Sequence, residues 1–438
     1  MRKKVTYIII PLAAFICFAG LLLPARAQTA RQETAPVEAK NAITLEECYK
    51  LALKQSETLA INREKIREAE AHFTQALGTA LPHVSFVRTE TLQDTSESSS
   101  NKKRSFDQGF AFSQTLFSGF KEFAGMAGSR EEVKQRTWEA KRAAQLLFVD
   151  VADAFYLLAE IQEDTKAMET TRQALKDRIN DLKARVDIGK SRPSEISSTE
   201  VQLYTLEAET EAVKSSETVA RDLLEFLIGE PVGSLTDDNA KFTLESESVY
   251  LRDVLNRPDV LATNYAWQAD KKRAYIAKTG FLPSVSLGAN SYTHKSSSPR
   301  VAWDALLSID VPIFEGTETA GAVKAANAVA RESELSYRRA IRLALVDIHD
   351  SYALASAAIT RTTTLAKALQ SAEQNYALQK EDYKLNLVNN LEVLSAIQDL
   401  ENTRRGYNNA YYESRRLCWQ LRAAGGDIPQ VEEAEQKR

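Results

Sequence analysis

The sequence is poor in the residues that break helices and in those that build catalytic sites. It has 16 glycines and 11 prolines among 438 residues, about 6% in all, which is roughly half the share in an average globular protein. A loop-rich enzyme of this length needs more turn-forming residues. Four histidines and three cysteines leave little material for a metal or thiol site. With 44% hydrophobic and 26% charged residues, the chain should fold mainly into long helices.

The motifs that could carry enzymatic chemistry are incomplete. Residues 316–322 have the glycine spacing of a phosphate-binding loop but lack the Lys-Ser or Lys-Thr pair, so they indicate a helix start. The histidines show no metal-ligand spacing and no Ser-His-Asp pattern. Two pairs of carboxylates, which we interpret as solvated surface charges, are Asp150 with Asp153 and Asp347 with Asp350. We therefore expect no catalytic residue, no cofactor and no metal.

The N-terminus has the three parts of a secretory signal peptide. Basic residues 2–4 precede an apolar run over 7–23, and Ala25-Arg26-Ala27 provides the small-x-small cleavage pattern. We predict cleavage after residue 27, because the apolar run is short for a membrane anchor, which is the alternative. Cleavage removes four basic residues and leaves 52 basic against 60 acidic ones. That balance gives no reason to expect nucleic-acid binding.

The rest of the chain consists of two similar units of about two hundred residues each. Residues 116–119 recur as 313–316, and residues 149–155 recur as 346–352, both at an offset of 197. The segment Leu81-Pro82-His83-Val84 resembles Leu282-Pro283-Ser284-Val285 at an offset of 201. Each unit has the order helix, strand, strand, long helix, turn and shorter helix.

This duplication divides the chain into six predicted segments. They are the signal peptide 1–27, an N-terminal extension 28–42, a first repeat 43–229, a linker 230–249, a second repeat 250–426 and a C-terminal tail 427–438. The four strands are predicted at about 83–92, 106–117, 284–293 and 302–313. Polar hairpin loops over 96–103 and 293–300 join the strands of each pair.

Alternation of apolar and polar residues is clearest in the last strand. Its apolar face consists of Trp303, Ala305, Leu307, Ile309 and Val311. Aspartate and serine side chains occupy the opposite face. A strand of this kind separates an apolar environment from a polar one.

Helical periodicity replaces the alternation after each strand pair. A helix over 118–188 contains no proline and would be ~105 Å long at 1.5 Å per residue. A helix of this length must pack as a coiled coil. The shorter helices 44–80 and 194–228 together match its length, so we expect them to line it end to end. In the second unit, helices 250–281 and 391–424 should line 315–386.

Three segments resemble the TolC family of trimeric outer-membrane channels. They are Arg257-Pro258-Asp259-Val260, Phe281-Leu282-Pro283-Ser284 and Val311-Pro312-Ile313-Phe314-Glu315-Gly316. The resemblance spans about 43–426. It implies a mainly α fold with a membrane β-barrel: a homotrimer whose subunits each give four strands to a twelve-stranded barrel, continuous with an α-helical coiled-coil tunnel in the periplasm. Independently, four strands cannot close, and lipid does not tolerate an open sheet edge, so subunits must combine.

The resemblance also implies a function and its partners. The protein would be the outer-membrane channel of a tripartite efflux system, conducting substrates passively and without enzymatic activity. An inner-membrane transporter would supply the energy, and a periplasmic adaptor (membrane fusion) protein would dock at the helical tip. The tip turns expected to contact the adaptor are Ile188, Gly189, Lys190, Ser191, Asn386, Leu387, Val388 and Asn389. The apolar face of the last strand would contact outer-membrane lipid.

Further residues at the periplasmic entrance follow from the same resemblance. Tyr383 occupies the position of a constriction tyrosine, although Val388 stands where the family often has a basic partner. Glu195 and Glu392 are repeat-equivalent, and threefold symmetry would place six carboxylates in an acidic ring if both face the lumen. The alternative is that each glutamate only stabilises the N-terminus of its helix.

Cys48 and Cys418 are the cysteines that remain after cleavage, and the periplasm is oxidising. A disulfide between them would need Cα atoms within about 7 Å. We favour two buried thiols that behave as small apolar residues.

Two other functions compete with efflux. An outlet of a type I protein secretion system uses the same fold with an ABC transporter as its pump, and the residues do not separate it from efflux. A secreted structural coiled-coil protein is a different class, which leaves the four amphipathic strands unexplained.

Overall fold

The computed structural model describes residues 42–94, 102–237, 243–296 and 301–428. The predicted signal peptide, the extension up to residue 41, the tips of both hairpin loops and residues 429–438 lie outside this part of the chain. The elements in chain order are α1 (Leu45–Gln55), α2 (Glu57–Gly78), β1 (His83–Asp94), β2 (Lys102–Phe117), α3 (Lys121–Asp187), α4 (Pro193–Ile228), α5 (Glu247–Leu251), α6 (Pro258–Thr279), β3 (Ser284–His294), β4 (Trp303–Asp310), α7 (Glu318–Lys384) and α8 (Asn390–Gly425).

Two very long helices, α3 and α7, run from the sheet to the tip turns, as predicted. Each has 67 residues and is therefore about 100 Å long at 1.5 Å per residue. Both end on a left-handed residue, Gly189 at φ 73° and Asn386 at φ 57°. The next backbone N–H then donates to a carbonyl five residues back, at 2.8 Å in the first half and 2.9 Å in the second. This arrangement satisfies carbonyls that a helix end otherwise leaves unpaired.

The helices form a wall in which each long helix has neighbours above and below. α3 packs against α2 and α4, and α7 packs against α6 and α8, as the length arithmetic predicts. α3 also packs against α6 and α8, which joins the two halves. Next to the strands the row is therefore α2–α3–α6–α7, and towards the tip turns it is α4–α3–α8–α7.

Two predicted helices are each broken into shorter pieces. The helix expected over 44–80 is interrupted at Ser56, whose hydroxyl accepts a hydrogen bond from the Leu59 N–H at 3.3 Å and so caps α2. The helix expected over 250–281 is interrupted before Pro258, because a residue that precedes proline disfavours the helical conformation. Arg257 accordingly lies at ψ 138°, and Pro258 begins α6.

The apolar core lies along the seams between helices. Its main cluster joins α1, α3 and α4, with Phe155, Leu158 and Leu224 fully buried. Cys48 belongs to this cluster and Cys418 to another, and both thiols are free and buried. The disulfide alternative is therefore wrong and the preferred pair of buried thiols is confirmed. Burial raises the pKa of Cys48 to about 12 and that of Cys418 to about 11.

The strands form one antiparallel sheet in the order β1–β2–β3–β4, with β1 and β4 as its edges. β4 ends at Asp310, three residues before the predicted end. Pro312 has no N–H to donate to a ladder, so pairing stops ahead of it. Val311 therefore lies beyond the end of β4, whereas Trp303, Ala305, Leu307 and Ile309 lie within it.

One buried arginine fixes the joint between α6, α7 and α8. Arg257 is 3% exposed. Its guanidinium donates to both carboxylate oxygens of Asp259 at 3.0 and 2.7 Å and to Asp347 at 2.9 Å. It also donates to the carbonyls of Ala344 at 3.4 Å and Ala424 at 3.1 Å. Asp347 is thus half of an ion pair, and its side chain remains 47% exposed, as expected for a solvated charge.

Replacing this arginine should loosen the joint. Arg257→Met keeps the side-chain length but leaves two carboxylates and two carbonyls without their donor, so we expect a loss of about 3 kcal/mol of stability. The guanidinium chloride midpoint of the helical circular dichroism measures it. Arg252→Met, an exposed arginine five residues earlier, is the matched control. Equal midpoints for the two variants would contradict the structural role of Arg257.

Candidate functional site

The turns after α3 and α7, residues 188–192 and 385–389, lie at the end of the molecule opposite the sheet. Ile188 is 65% exposed and Leu387 is 70% exposed, and Lys190 is also exposed. Val388 differs, because it is half-buried against the apolar cluster beneath the turns. The tip therefore presents an apolar side chain from each turn, set among polar residues that include Ser191 and Asn389.

Tyr383, the candidate constriction residue, lies in this tip and is 6% exposed in the single chain. Two guanidinium groups of α3 contact its ring, with the Cζ of Arg178 3.5 Å and that of Arg185 4.5 Å from the ring centroid. Such cation–π contacts hold a ring in place without a hydrogen bond. The Tyr383 hydroxyl donates to the Glu195 carboxylate on α4 at 3.3 Å.

A buried polar network extends this contact to α8. Arg178 donates through Nε and Nη2 to Asn390 Oδ1, at 2.9 and 2.8 Å. The Asn390 amide donates to the Glu195 carbonyl and to the Thr199 hydroxyl, both at 3.4 Å. All four helices that meet at the tip are therefore linked through hydrogen-bonded side chains. Burial lowers the pKa of Arg178, yet an arginine keeps its charge under these conditions.

The sequence interpretation did not identify Arg178, Arg185 or Asn390. The resemblance places a basic partner of Tyr383 a few residues later in the chain, where Val388 stands, whereas α3 supplies two basic partners, Arg178 and Arg185. A signal was present, because Arg178 and Arg185 are seven residues apart and share the apolar stripe of Leu182.

The two glutamates proposed for the entrance have different surroundings. Glu195 is half-buried and accepts from the Ser191 hydroxyl at 2.6 Å as well as from Tyr383. Glu392 is exposed and completes a capping box: its carboxylate accepts from the Asn389 N–H at 2.9 Å, and the Asn389 side chain accepts from the Glu392 N–H at 3.1 Å. The Glu392 carboxylate therefore caps the start of α8, whereas Glu195 lies in the first turn of α4, a helix without a side-chain cap, and accepts from hydroxyl groups.

A seam of carboxylates runs along α3 where it contacts α8. Asp153 accepts from the Gln420 amide at 3.1 Å, Glu160 from the Asn409 amide at 2.8 Å, and Asp164 from the Asn408 amide at 3.1 Å. Burial raises the pKa of all three carboxyl groups. The interpretation of Asp153 as a solvated charge is therefore wrong, whereas Asp150 and Asp350 are exposed.

The sheet has one apolar face and one polar face. The strand register places apolar residues side by side in rows across the sheet. These rows are Phe86–Phe110–Ser291–Trp303, Val84–Phe112–Ala289–Ala305, Gln114–Leu287–Leu307 and Phe117–Val285–Ile309. Trp303, Leu307 and Ile309 are 58–68% exposed. The opposite face carries Asn290 and Asp304, whose side chains are hydrogen-bonded at 2.8 Å, and Leu306 interrupts its polar character.

In the ranges 42–94, 102–237, 243–296 and 301–428, no group of three or more histidine, cysteine, aspartate or glutamate side chains is placed to hold a metal ion. No helix in those ranges is both long enough and apolar enough to cross a membrane.

Comparison with known proteins identifies the family. The model of the family "Outer membrane efflux protein" matches residues 48–230 and 253–427, most of the chain. The chain belongs to the outer membrane efflux protein family. This membership confirms the resemblance to TolC-type channels. It places the protein in the outer membrane, in a family of channel proteins rather than enzymes.

Individual relatives are distant but are matched over most of their length. The probable outer membrane lipoprotein SilC of Salmonella typhimurium is 21% identical over 80% of this chain and 78% of its own. The cation efflux system protein CusC of Escherichia coli O157:H7 is 21% identical over 81% and 79%. The crystal structure of the outer membrane protein VceC of Vibrio cholerae superposes with a TM-score of 0.77, 21% identity and coverage of 87% and 96%. At these identities the structural match shows the fold alone.

The carboxylate seam predicts that acidification stabilises the helices. A carboxyl group with a raised pKa in the folded chain binds its proton more tightly there than in the unfolded chain. Stability therefore increases as the pH falls from neutrality towards the ordinary carboxyl pKa of about 4. We expect a higher thermal midpoint of the helical circular dichroism at pH 4.5 than at pH 7.5, because the stabilisation is largest near the ordinary carboxyl pKa.

The triple variant Asp153→Asn/Glu160→Gln/Asp164→Asn should flatten this dependence. Glu163→Gln, a partly exposed glutamate of the same helix, should leave it unchanged. If the triple variant keeps the full pH dependence of the native chain, groups outside the carboxylate seam cause it and the prediction is wrong.

Proposed function

We propose that the protein is a homotrimeric channel that conducts substrates passively across the outer membrane as part of a tripartite efflux system. The observation that carries this proposal is the open, four-stranded sheet with one apolar face. Such a sheet is one third of a twelve-stranded barrel wall and has two exposed edges, and it becomes a membrane-spanning structure only when copies close it. Pairing β4 of each subunit with β1 of the next gives twelve strands.

The helices support the same arrangement. α4 and α7 are the ends of the row α4–α3–α8–α7. Each end carries large apolar residues that are exposed in the single chain. Those of α4 are Val201, Tyr204, Val219 and Phe226, and those of α7 are Leu343, Val346 and Leu354. The spacing on α4 forms one narrow stripe. In a closed ring, α7 of one subunit would cover the stripe on α4 of the next.

Two tandem repeats and a cleaved signal peptide complete the proposed organisation. The paired elements of the two halves have equal lengths: α3 and α7 have 67 residues, α4 and α8 have 36, and α2 and α6 have 22. These equalities support a first repeat over 43–229 and a second over 250–426, with 230–249 as the linker.

The tip turns are the proposed docking surface for a periplasmic adaptor (membrane fusion) protein, which connects the channel to an inner-membrane transporter. The exposed side chains of Ile188 and Leu387 would give each subunit two apolar contacts to the adaptor. Tyr383 and its network lie directly above the turns, where three copies would narrow the tunnel. We propose this level as the constriction.

A charge on the apolar face of β4 should prevent assembly. An arginine facing lipid near the bilayer midplane costs about 2–4 kcal/mol at each strand, and a trimer carries three. We expect Leu307→Arg and Ile309→Arg to abolish the heat-modifiable trimer in outer-membrane fractions. Ser308→Arg lies on the opposite face of the same strand and should retain it. Normal trimers from both apolar-face variants would refute the lipid-facing assignment.

The acidic ring of Glu195 and Glu392 is proposed to make the entrance cation-favouring. Glutamine also completes a capping box, so Glu392→Gln removes charge while it preserves the helix start. In planar-bilayer recordings, the double variant Glu195→Gln/Glu392→Gln should lose cation preference and block by multivalent cations. If both properties persist, the two glutamates stabilise only their helix N-termini.

A further inference from the structure

We propose that Arg88 and Arg104, on the outer face of the β1–β2 hairpin, bind the phosphate groups of outer-leaflet lipids. The inference rests on the proposed barrel, because it takes the apolar face of the sheet as the lipid-facing one. It adds a specific lipid site to a surface that otherwise only excludes water.

The register places the two arginines just beyond the apolar band. The band begins at the row of Ile309 and ends at the aromatic row of Phe86, Phe110 and Trp303. Six residues separate Ile309 from Trp303, which is about 20 Å along a strand at 3.3 Å per residue. Aromatic residues commonly mark the edge of the hydrocarbon in such barrels.

The next rows on the same face carry charge. Arg88 is two residues beyond Phe86, hence about 7 Å beyond the aromatic row. Arg104 pairs with Leu92, which is six residues beyond Phe86, hence about 20 Å beyond the same row. Strands in such barrels are tilted by about 35–45°, so the rise along the membrane normal is smaller. Both guanidiniums reach the carboxylate of Glu90, in the row between theirs, so they would meet in the polar headgroup region above the aromatic row, on the side towards the hairpin tip.

The two guanidiniums are held next to each other by one carboxylate. Glu90 accepts from Arg88 Nε at 3.1 Å and Nη2 at 2.5 Å, and from Arg104 Nη2 at 2.6 Å. Arg88 also lies over the ring of Phe106, with its Cζ 4.8 Å from the centroid. That ring stacks on the imidazole of His294 at 4.0 Å between centroids. These contacts reduce the freedom of Arg88 before any ligand binds.

The cluster has donors and charge left for an anion. Glu90 accepts no hydrogen bond from Arg88 Nη1 or from Arg104 Nε and Nη1. The side chains of Arg88 and Arg104 are 50% and 65% exposed. One carboxylate against two guanidiniums leaves one positive charge. Planar guanidinium groups form paired hydrogen bonds with phosphate oxygens.

Apolar surface beside the cluster favours a lipid over a free anion. Leu92 lies on the same face beyond the cluster and is 74% exposed, and the apolar band begins on the other side of the cluster at the row of Phe86. A phosphorylated glycolipid can satisfy both surfaces at once, since its acyl chains cover the band while its phosphates reach the arginines. The opposite face of the sheet offers a natural comparison, because Lys295 is there, 3.5 Å from Asp304.

Native mass spectrometry of the detergent-purified protein tests the site directly. The probes are lipid A with two phosphates, the same lipid after enzymatic dephosphorylation, and inorganic phosphate. We expect retention of the phosphorylated lipid alone. Arg88→Ala/Arg104→Ala should weaken its binding by about tenfold or more, since it removes both guanidiniums and their charge-assisted hydrogen bonds. Lys295→Ala should bind like the native chain.

Glu90→Gln provides a change in the opposite direction. It releases both guanidiniums and adds one positive charge, so it should bind the phosphorylated lipid more tightly than the native protein. Equal affinity for phosphorylated and dephosphorylated lipid, or unchanged binding in both the double-alanine and the Gln variant, would overturn the site. Equal retention of inorganic phosphate would show a free-anion site instead.

Conductance in planar bilayers separates this proposal from the proposed function. A double-alanine variant that conducts normally but retains less lipid supports the site. If that variant fails to assemble, Arg88→Lys/Arg104→Lys keeps both charges but loses the paired geometry, and weaker lipid binding is again the expected result. Native-like lipid binding in the assembled lysine variant would overturn the role of the guanidinium pair.

Discussion

Unpaired backbone groups at the edges of β1 and β4 are the constraint on which the rest of the structure depends. In hydrocarbon each unsatisfied N–H or C=O costs several kcal/mol, and a four-stranded sheet cannot turn back on itself to remove its edges. A single chain therefore supplies only part of a barrel wall and does not form a closed barrel. The helices are incomplete in the same way, because the apolar stripes on α4 and α7 are exposed in the single chain.

The turn that precedes each long helix has the same backbone conformation in both halves. Gly119 and Phe120 adopt left-handed backbone conformations at φ 67° and 62°, and their equivalents Gly316 and Thr317 do so at φ 58° and 78°. A left-handed residue with a side chain costs about 1–2 kcal/mol. The ring of Phe120 packs against Phe117 with centroids 5.4 Å apart, which offsets part of this cost. The tight double turn directs each long helix away from the sheet.

Local patterns were sufficient for the elements but not for the contacts between halves. Periodicity and the absence of proline predicted α3 and α7 closely, and alternation predicted the strands. The break at Ser56 was missed because a polar cap fits within an amphipathic pattern, whereas the break at Pro258 had a plain signal. The network of Arg178 and Asn390 joins residues 212 positions apart. Such a pairing depends on how the long helices meet at the tip, which no local pattern encodes.

The number of chains in the folded particle tests the central claim most directly. Native mass spectrometry of the purified protein in detergent counts the subunits without assumptions about activity. If the open sheet and the two exposed helix stripes are closed by copies of the same chain, the folded species contains three chains. A stable folded monomer or dimer as the sole species would leave those edges open and would contradict the account.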